Sequence, residues 1–144
     1  MVTWIYDETG SAGAILDEFC LRNLDGVPQA WVFGVSVFSM QGNHIGWFEH
    51  GVLYDIDNDQ LGFVEGALGL GNAPLSLAAP PVPQLGKRPC VPALRARRSR
   101  PTGAGWSGER LAEYLDNCGA LAAPASRTAV RLGGNRGASQ DAPR

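Results

Sequence analysis

The chain has 144 residues, three cysteines and a formal net charge of −2, and 44% of its residues are hydrophobic. A sparse, odd set of cysteines argues against a disulfide-stabilised secreted scaffold, and no apolar run approaches the roughly 20 residues that span a bilayer. The two parts of the chain have opposite net charges, since residues 1–67 carry −9 and residues 68–144 carry +7. The first residues enter a strand-like run without a basic, apolar leader. We therefore expect a cytoplasmic protein that makes no membrane contact.

Residues 4–67 form four consecutive 16-residue units: WIYDETGSAGAILDEF, CLRNLDGVPQAWVFGV, SVFSMQGNHIGWFEHG and VLYDIDNDQLGFVEGA. In every unit a short Asp, Asn or Ser follows the opening apolar run, and Gly or Asn comes three residues later. The short polar side chain accepts hydrogen bonds from turn backbone, and Gly or Asn adopts the left-handed conformation that ends the turn. Each unit is therefore predicted to be strand, tight turn, strand, which makes residues 1–67 an all-β domain.

A pitch of 16 residues suits one β-hairpin and is too short for a propeller blade. Four hairpins closing around a common axis would remove the exposed edges of an open sheet. We therefore predict a pseudo-four-fold arrangement of the four hairpin repeats. Small residues share one column, where close approach of a neighbouring strand is expected: Ala14, Ala30, Gly46 and Gly62.

Both faces of the predicted strands carry apolar side chains. One face is assigned the aliphatic column and four mostly aromatic residues: Ile5, Leu21, Val37, Leu53, Ile15, Trp31, Trp47 and Phe63. The other face is assigned Tyr6, Phe38, Tyr54, Leu16, Val32, Phe48 and Val64. Only one face can fill the interior, so the other needs a cover. We expect either self-association or intramolecular docking of the C-terminal tail.

The runs FSMQGNHIGWFEHG and YDIDNDQLGFVEG resemble the four-fold beta flower family of bacterial proteins. The resemblance covers residues 4–67, with a weaker match at residues 105–107. Two positions depart from the repeat: Asn58 stands where the other three units have Gly, and Ile15 stands where an aromatic residue is found in the others. The resemblance implies a pseudo-four-fold β domain and implies no defined activity.

Three segments follow the repeats. Residues 68–104 hold most of the prolines and are predicted to be an extended, Pro-rich linker. Residues 105–119 are predicted to be a short amphipathic helix that Ser107 caps and Gly119 ends. Its candidate docking face consists of Trp106, Leu111, Tyr114 and Leu115. Residues 120–144 are predicted to be a disordered tail.

The basic part of the chain has three alternative roles. It can fold back on its own acidic domain, contact a second protomer, or reach nucleic acid or another anionic surface. Nucleic acid would be bound through Arg95, Arg97, Arg98 and Arg100. No aromatic residue interleaves with this run, so attraction within the chain is the favoured interpretation.

Three alternating carboxylates form the best candidate metal site: Asp55, Asp57 and Asp59. A calcium loop would need Gly where Gln60 stands and a bidentate acid one place beyond Glu65. The run also lies on the tight turn of unit four. A solvated turn is therefore the favoured interpretation, and no metal or other cofactor is predicted.

Two histidines, His44 and His50, lie near Glu49 in unit three. Both occupy columns that vary between units, so we expect both at the surface, outside any catalytic or metal site. No nucleophile–base pair stands out elsewhere. The sequence therefore predicts a non-catalytic structural or protein-interaction module, self-associating or covered by its own tail. The alternative is a small-molecule or ion-binding protein that uses the pseudo-four-fold axis or the acidic turn at 55–59.

Overall fold

Eight antiparallel strands close into a barrel that one helix follows, in a computed structural model that describes residues 2–68, 74, 76–103 and 105–121. The strands β1 to β8 succeed one another around the barrel in chain order: Val2–Tyr6, Ala12–Asp17, Cys20–Arg22, Pro28–Phe33, Ser36–Ser39, His44–Glu49, Val52–Tyr54 and Gln60–Phe63. Tyr6 pairs with Phe63, which joins β1 to β8 and completes the ring. The predicted all-β fold of four hairpins in a pseudo-four-fold arrangement is confirmed.

The turn between the two strands of each unit, here called the long turn to distinguish it from the short turns between units, forms through the side-chain hydrogen bonds and the left-handed residue predicted from the sequence. Asp7 Oδ1 accepts hydrogen bonds from the backbone N–H groups of Thr9 at 2.9 Å and Ser11 at 3.1 Å. Asn23 and Asp55 make the equivalent pair of bonds in units two and four. The residue three places later has a positive φ in all four units: Gly10 (88°), Gly26 (88°), Gly42 (89°) and Asn58 (67°). Asn58 therefore does in unit four what Gly does in the other three.

The predicted assignment of the strand faces is wrong for the second strand of each hairpin, whose side chains lie on the face opposite to the predicted one. Ile5 pairs with Ala14 across the hairpin, and opposed residues share a face, so Ile5 lies with Ala14 and Leu16 rather than with Ile15. The cause is a β-bulge that inserts one residue beside the turn in every unit. Without that residue, Ile5 would oppose Gly13 and lie on the same face as Ile15.

The barrel interior is a single apolar cluster that draws on all four units: Ile5, Ala14, Leu21, Ala30, Val37, Leu53 and Leu61. Residues from opposite units can meet in one cluster only inside the ring. Two residues of the small column, Ala14 and Ala30, belong to this cluster, and the two glycines of the column are small for the predicted reason. A Cβ atom on Gly46 would overlap the carbonyl oxygen of Tyr54, and one on Gly62 would lie 2.7 Å from the carbonyl oxygen of Tyr6. Neighbouring strands approach too closely there for a larger side chain.

The helix α1, Leu111–Leu121, packs over the end of the barrel that carries the long turns. It begins later than the predicted helix at 105–119 and continues past Gly119. The reason lies at Gln60, whose N–H donates to the carbonyl of Gly105 and whose carbonyl accepts from the N–H of Ser107. These bonds hold the backbone extended where a first helical turn was predicted. Of the tail predicted at 120–144, residues 122–144 lie outside the described residues.

Residues 76–103 and 105–107, here called the strap, run around the outside of the barrel. The strap contains most of the predicted linker, and it is extended, with no described helix or strand except isolated bridges at its two ends. It lies against the four long turns in chain order, with the neighbours Ser76 and Gly10, Leu85 and Gly26, Ala93 and Gly42, and Gly103 and Asn58. The Pro-rich segment thus accompanies the barrel through all four repeat units.

Candidate functional site

The cationic side chains of the strap cover the outward-facing aromatic residues of the barrel. Cation–π contacts place Arg88 5.6 Å from the ring centroid of Phe19, Arg97 5.7 Å from that of Phe38, and Arg100 5.0 Å from that of Tyr54. Arg100 also donates a 2.6 Å hydrogen bond to Glu49 Oε1. Such contacts stabilise by about 0.5–1 kcal/mol each at exposed sites. These contacts hold the strap against the barrel in units one, three and four.

The four arginines considered for nucleic acid all contribute to this contact. Arg97 and Arg100 do so through their guanidinium groups. Arg95 and Arg98 do so through their backbone, since the N–H of Arg95 donates to the carbonyl of Gly42 and that of Arg98 to Nδ1 of His44. Binding of a nucleic acid by the Arg97 and Arg100 side chains would have to displace them from the barrel.

An ion-pair network centred on the buried Asp17 and Arg22 joins the strap to units one and two. Arg22 is 1% exposed. Its Nε donates to Asp17 Oδ2 at 3.1 Å, and its Nη atoms donate to the carbonyls of Gly26 and Gly86 at 2.9 and 2.7 Å. Arg88, on the strap, donates to the other Asp17 oxygen at 3.0 Å. Sequence reasoning missed this site, although the lone arginine in a column of Tyr and Phe was a signal for it.

The acidic turn at 55–59 is a structural turn. Asp55 is buried, and its Oδ1 accepts hydrogen bonds from the N–H groups of Asp57 and Asp59, both at 2.9 Å. Its Oδ2 accepts a 2.6 Å bond from the hydroxyl of Ser107. Both Asp55 oxygens are thus committed to the fold. Within the described part of the chain, no group of three or more His, Cys, Asp and Glu side chains is arranged to hold a metal ion.

The two histidines occupy opposite environments. His50 is exposed and lies 3.9 Å from Glu49 at the other end of β6 from His44. His44 was expected at the surface, and this expectation is wrong, because the side chain is only 3% exposed. The reason is the strap, whose residue Arg98 donates a 2.6 Å hydrogen bond to His44 Nδ1. The sequence of the repeats alone could not reveal that their variable column is covered.

The predicted docking face divides between two sites. Leu111, Tyr114 and Leu115 join the interior cluster and close one end of the barrel. Trp106 lies apart from them and packs on the outward side of Phe63, with ring centroids 6.2 Å apart. This division follows from the late start of the helix, since residues 105–107 are extended and do not share its face.

The hydroxyl of Tyr114 ties the helix to unit three and unit four. It donates to the carbonyl of Ile45 at 2.6 Å and accepts from the N–H of Ile56 at 3.1 Å. Burial raises the pKa of this phenol above its ordinary value, and burial raises the pKa of the neighbouring Cys118 thiol to about 12. Both groups therefore stay neutral and act as parts of the core.

The end of the barrel opposite the helix, here called the open end, is apolar, and its described cover is limited to the Arg88 guanidinium that lies over Phe19. Its inner ring is partly exposed and consists of Leu16, Val32, Phe48 and Val64. Its rim carries four exposed apolar side chains: Val2 (40%), Phe19 (39%), Val35 (46%) and Leu68 (70%). The sequence hinted at this surface through Phe19 and Val35, which stand in two-residue turns where polar residues are usual.

A cavity of about 150 Å³ lies between the long turn of unit one, β8 and the residues that precede α1. Its lining mixes charges and includes Asp7, Glu8, Trp106, Glu109 and Arg110. Asp7 already uses one oxygen within its own turn. Leu111 of the helix also lines the cavity.

These features define a class of protein: a small β-barrel module built from four equal hairpins and enclosed by its own C-terminal segment. The chain belongs to the 4-fold beta flower protein family, which it matches over residues 3–115. The match extends beyond the repeats through the strap and into the helix. No curated protein and no solved structure matches the chain significantly. Among the described residues, no helix is both long and apolar enough to cross a membrane.

Proposed function

We propose that this barrel is a non-catalytic protein-interaction module that self-associates through its open end. The observation that carries the proposal is the concentration of exposed apolar side chains there. Contiguous apolar surface of this kind on a small domain marks an interaction site more often than a free surface. The helix covers the opposite end and the strap covers much of the side, so the open end is an apolar surface left for a partner.

A second copy of the chain is the partner that fits this surface best. A pseudo-four-fold ring presents similar side chains on every side, so two rings can meet face to face around a two-fold axis. The charges near the rim favour this arrangement. Arg88 neutralises Asp17 and Arg100 neutralises Glu49, which reduces the repulsion between two acidic barrels. The remaining contact is apolar and self-complementary.

The alternative, small-molecule or ion binding, has less support. The axis is occupied at the helix end by Leu111, whose side chain lies beside Gly13 and Gly62. The acidic turn at 55–59 has both oxygens of its central residue, Asp55, committed to hydrogen bonds. A ligand at either place would have to displace part of the fold.

Sedimentation velocity over a concentration series tests self-association with two matched variants. Val35→Lys places a charge on the rim of the open end, and Val27→Lys places the same charge on the long turn of unit two, where the valine is 51% exposed. We expect a dimer at high concentration, a dimerisation constant weakened at least about tenfold by Val35→Lys, and no change with Val27→Lys, because an unpaired charge is costly to bury. A monomer at every concentration, or equal effects of the two variants, would overturn the proposal.

A further inference from the structure

The strap bonds to one column of barrel residues in units one, three and four, and its attachment in unit three differs from the other two. In unit one, the N–H of Ala12 donates to the carbonyl of Ala78 at 2.9 Å. In unit four, the N–H of Gln60 donates to the carbonyl of Gly105, also at 2.9 Å. Both are backbone bonds, which no change of pH within the physiological range removes. In unit three the residue of this column is His44, and here a titratable side chain makes the bond to the strap.

The imidazole of His44 is buried in a defined orientation. Its Nδ1 accepts the 2.6 Å hydrogen bond from the N–H of Arg98, so the ring is neutral with its proton on Nε2. It packs against Phe38, with ring centroids 5.4 Å apart, and edge-on against Trp47, at 4.9 Å. Nε2 is buried and has no hydrogen-bond partner among the described residues.

A second proton would be unfavourable in this position. Protonated Nδ1 becomes a donor and would face the N–H of Arg98, so the bond between ring and strap would be lost. The new charge would also be buried next to an aromatic pair, with the guanidinium groups of Arg97 and Arg98 nearby. Burial accordingly lowers the pKa of His44 from its ordinary value, and Arg97 and Arg98 lower it further, while the Gly46 carbonyl on β6 opposes them without completing a hydrogen bond to Nε2.

The charged groups on the elements that pack against His44 would do little to stabilise its protonated form. The strap contributes Arg97, Arg98 and Arg100, all cationic. On β6 the nearest carboxylate in sequence is Glu49, and Arg100 already binds it at 2.6 Å. Strand β5 presents the uncharged Phe38 to the ring.

We propose that His44 is a pH-sensitive latch that holds the strap at Arg98, between the attachments at Arg95 and Arg100, and releases it there on acidification. Release would leave the strap attached on either side, through the backbone bonds of Ala78, Arg95 and Gly105 and through the ion pair of Arg100 with Glu49, because none of these titrates with the imidazole. It would uncover Phe38, the barrel aromatic over which Arg97, the neighbour of Arg98, now lies. Acidification thus exchanges an intramolecular contact for an exposed aromatic surface on one side of the barrel.

The direction of the pH dependence follows from proton linkage. With the strap released, His44 regains an ordinary pKa near 6.5, and with the strap bound its pKa is lower. The released state therefore binds protons more readily, and lower pH favours it. The latch is closed above about pH 6.5 and weakens progressively as the pH falls from there toward the lowered pKa of the bound state.

Amide hydrogen exchange followed by NMR on the full chain tests the latch. Protection factors divide out the intrinsic pH dependence of exchange, so Arg98 can be compared at pH 7.5 and pH 5.0 with Ala78, whose N–H donates to the carbonyl of Gly10. We expect protection at Arg98 to fall between pH 7.5 and pH 5.0 while protection at Ala78 changes little. Protection at Arg98 that is independent of pH, or an equal loss at Ala78, would overturn the proposal.

Two variants separate the buried histidine from the exposed one. His44→Gln introduces the residue that unit four carries in the same column, and its amide oxygen can accept the Arg98 bond without titrating. His50→Asn removes the exposed histidine and keeps a residue that tolerates the positive φ of 54°. The fall in Arg98 protection should vanish in His44→Gln and persist in His50→Asn. The opposite pattern refutes the latch, and if His44→Gln fails to fold, the comparison of Arg98 with Ala78 in the unaltered chain decides the question.

Discussion

Two glycines with nearly the same backbone conformation allow the energy of the strap contact to be measured. Gly42 has a φ of 89° and Gly66 a φ of 83°. A Cβ atom on Gly42 would overlap the carbonyl oxygen of Ala93 on the strap, whereas one on Gly66 would have nothing within 4 Å. Alanine at Gly66 should cost only the left-handed strain, about 1–2 kcal/mol. Alanine at Gly42 should cost this strain and also the displacement of the strap.

The additional cost at Gly42 follows from its hydrogen bond. Its carbonyl accepts the N–H of Arg95 at 2.8 Å, and the loss of one such bond costs about 1 kcal/mol. Urea unfolding followed by tryptophan fluorescence should therefore give a midpoint lower by roughly 0.5 M in Gly42→Ala than in Gly66→Ala, for an m-value near 2 kcal/mol/M. Equal midpoints would mean that the strap does not bear on this turn, and the account of the strap as part of the fold would fail.

Three further outcomes are expected. Asp55→Ala should lower the free energy of unfolding by about 2–4 kcal/mol in urea titrations, because three hydrogen bonds are lost. Asp57→Ala, at an exposed position, should change it by less than about 0.5 kcal/mol. Similar losses in the two variants would contradict the assigned role of Asp55. The free energy of unfolding should fall as the pH rises above about 10, since burial raises the pKa of Tyr114 in the folded state. Tyr114→Phe should weaken this pH dependence. If the free energy of unfolding of Tyr114→Phe falls with pH as steeply as that of the unaltered chain, the phenol is not buried. At pH 8, a thiol reagent should modify the exposed Cys90 at once and Cys118 only after unfolding, and equally fast reaction of both would show that the helix does not cover the barrel end.

The turns could be predicted from the sequence because their causes are local. Asp7 and Gly10 lie three residues apart, and both roles depend on the backbone between them. The strand faces required more than local information. The hairpin pattern alone does not say whether the residue before Ala14 is bulged, and that one residue decides whether Ile5 shares a face with Ala14 or with Ile15.

The surroundings of the candidate site residues depend on contacts between distant parts of the chain. His44 is buried by Arg98, 54 residues away in sequence, and Asp55 accepts a hydrogen bond from Ser107, 52 residues away. Neither partner carries a repeat or a motif that marks it. A Pro-rich composition indicates an extended chain and leaves open whether that chain projects into solvent or lies on a surface. The repeats therefore predicted the barrel, and the structure was needed to place the strap on it.

The strap and the barrel use different numbers of residues to pass from one repeat unit to the next. The barrel uses 16 residues for each unit, whereas the strap passes from Ser76 to Leu85, Ala93 and Gly103 in steps of eight to ten residues. An extended segment without helix or strand is usually the part of a protein that best tolerates insertions. Here an inserted residue would move every later strap residue away from the turn that it now contacts. We therefore expect the number of residues between successive contacts to be constrained, although the segment has no regular secondary structure.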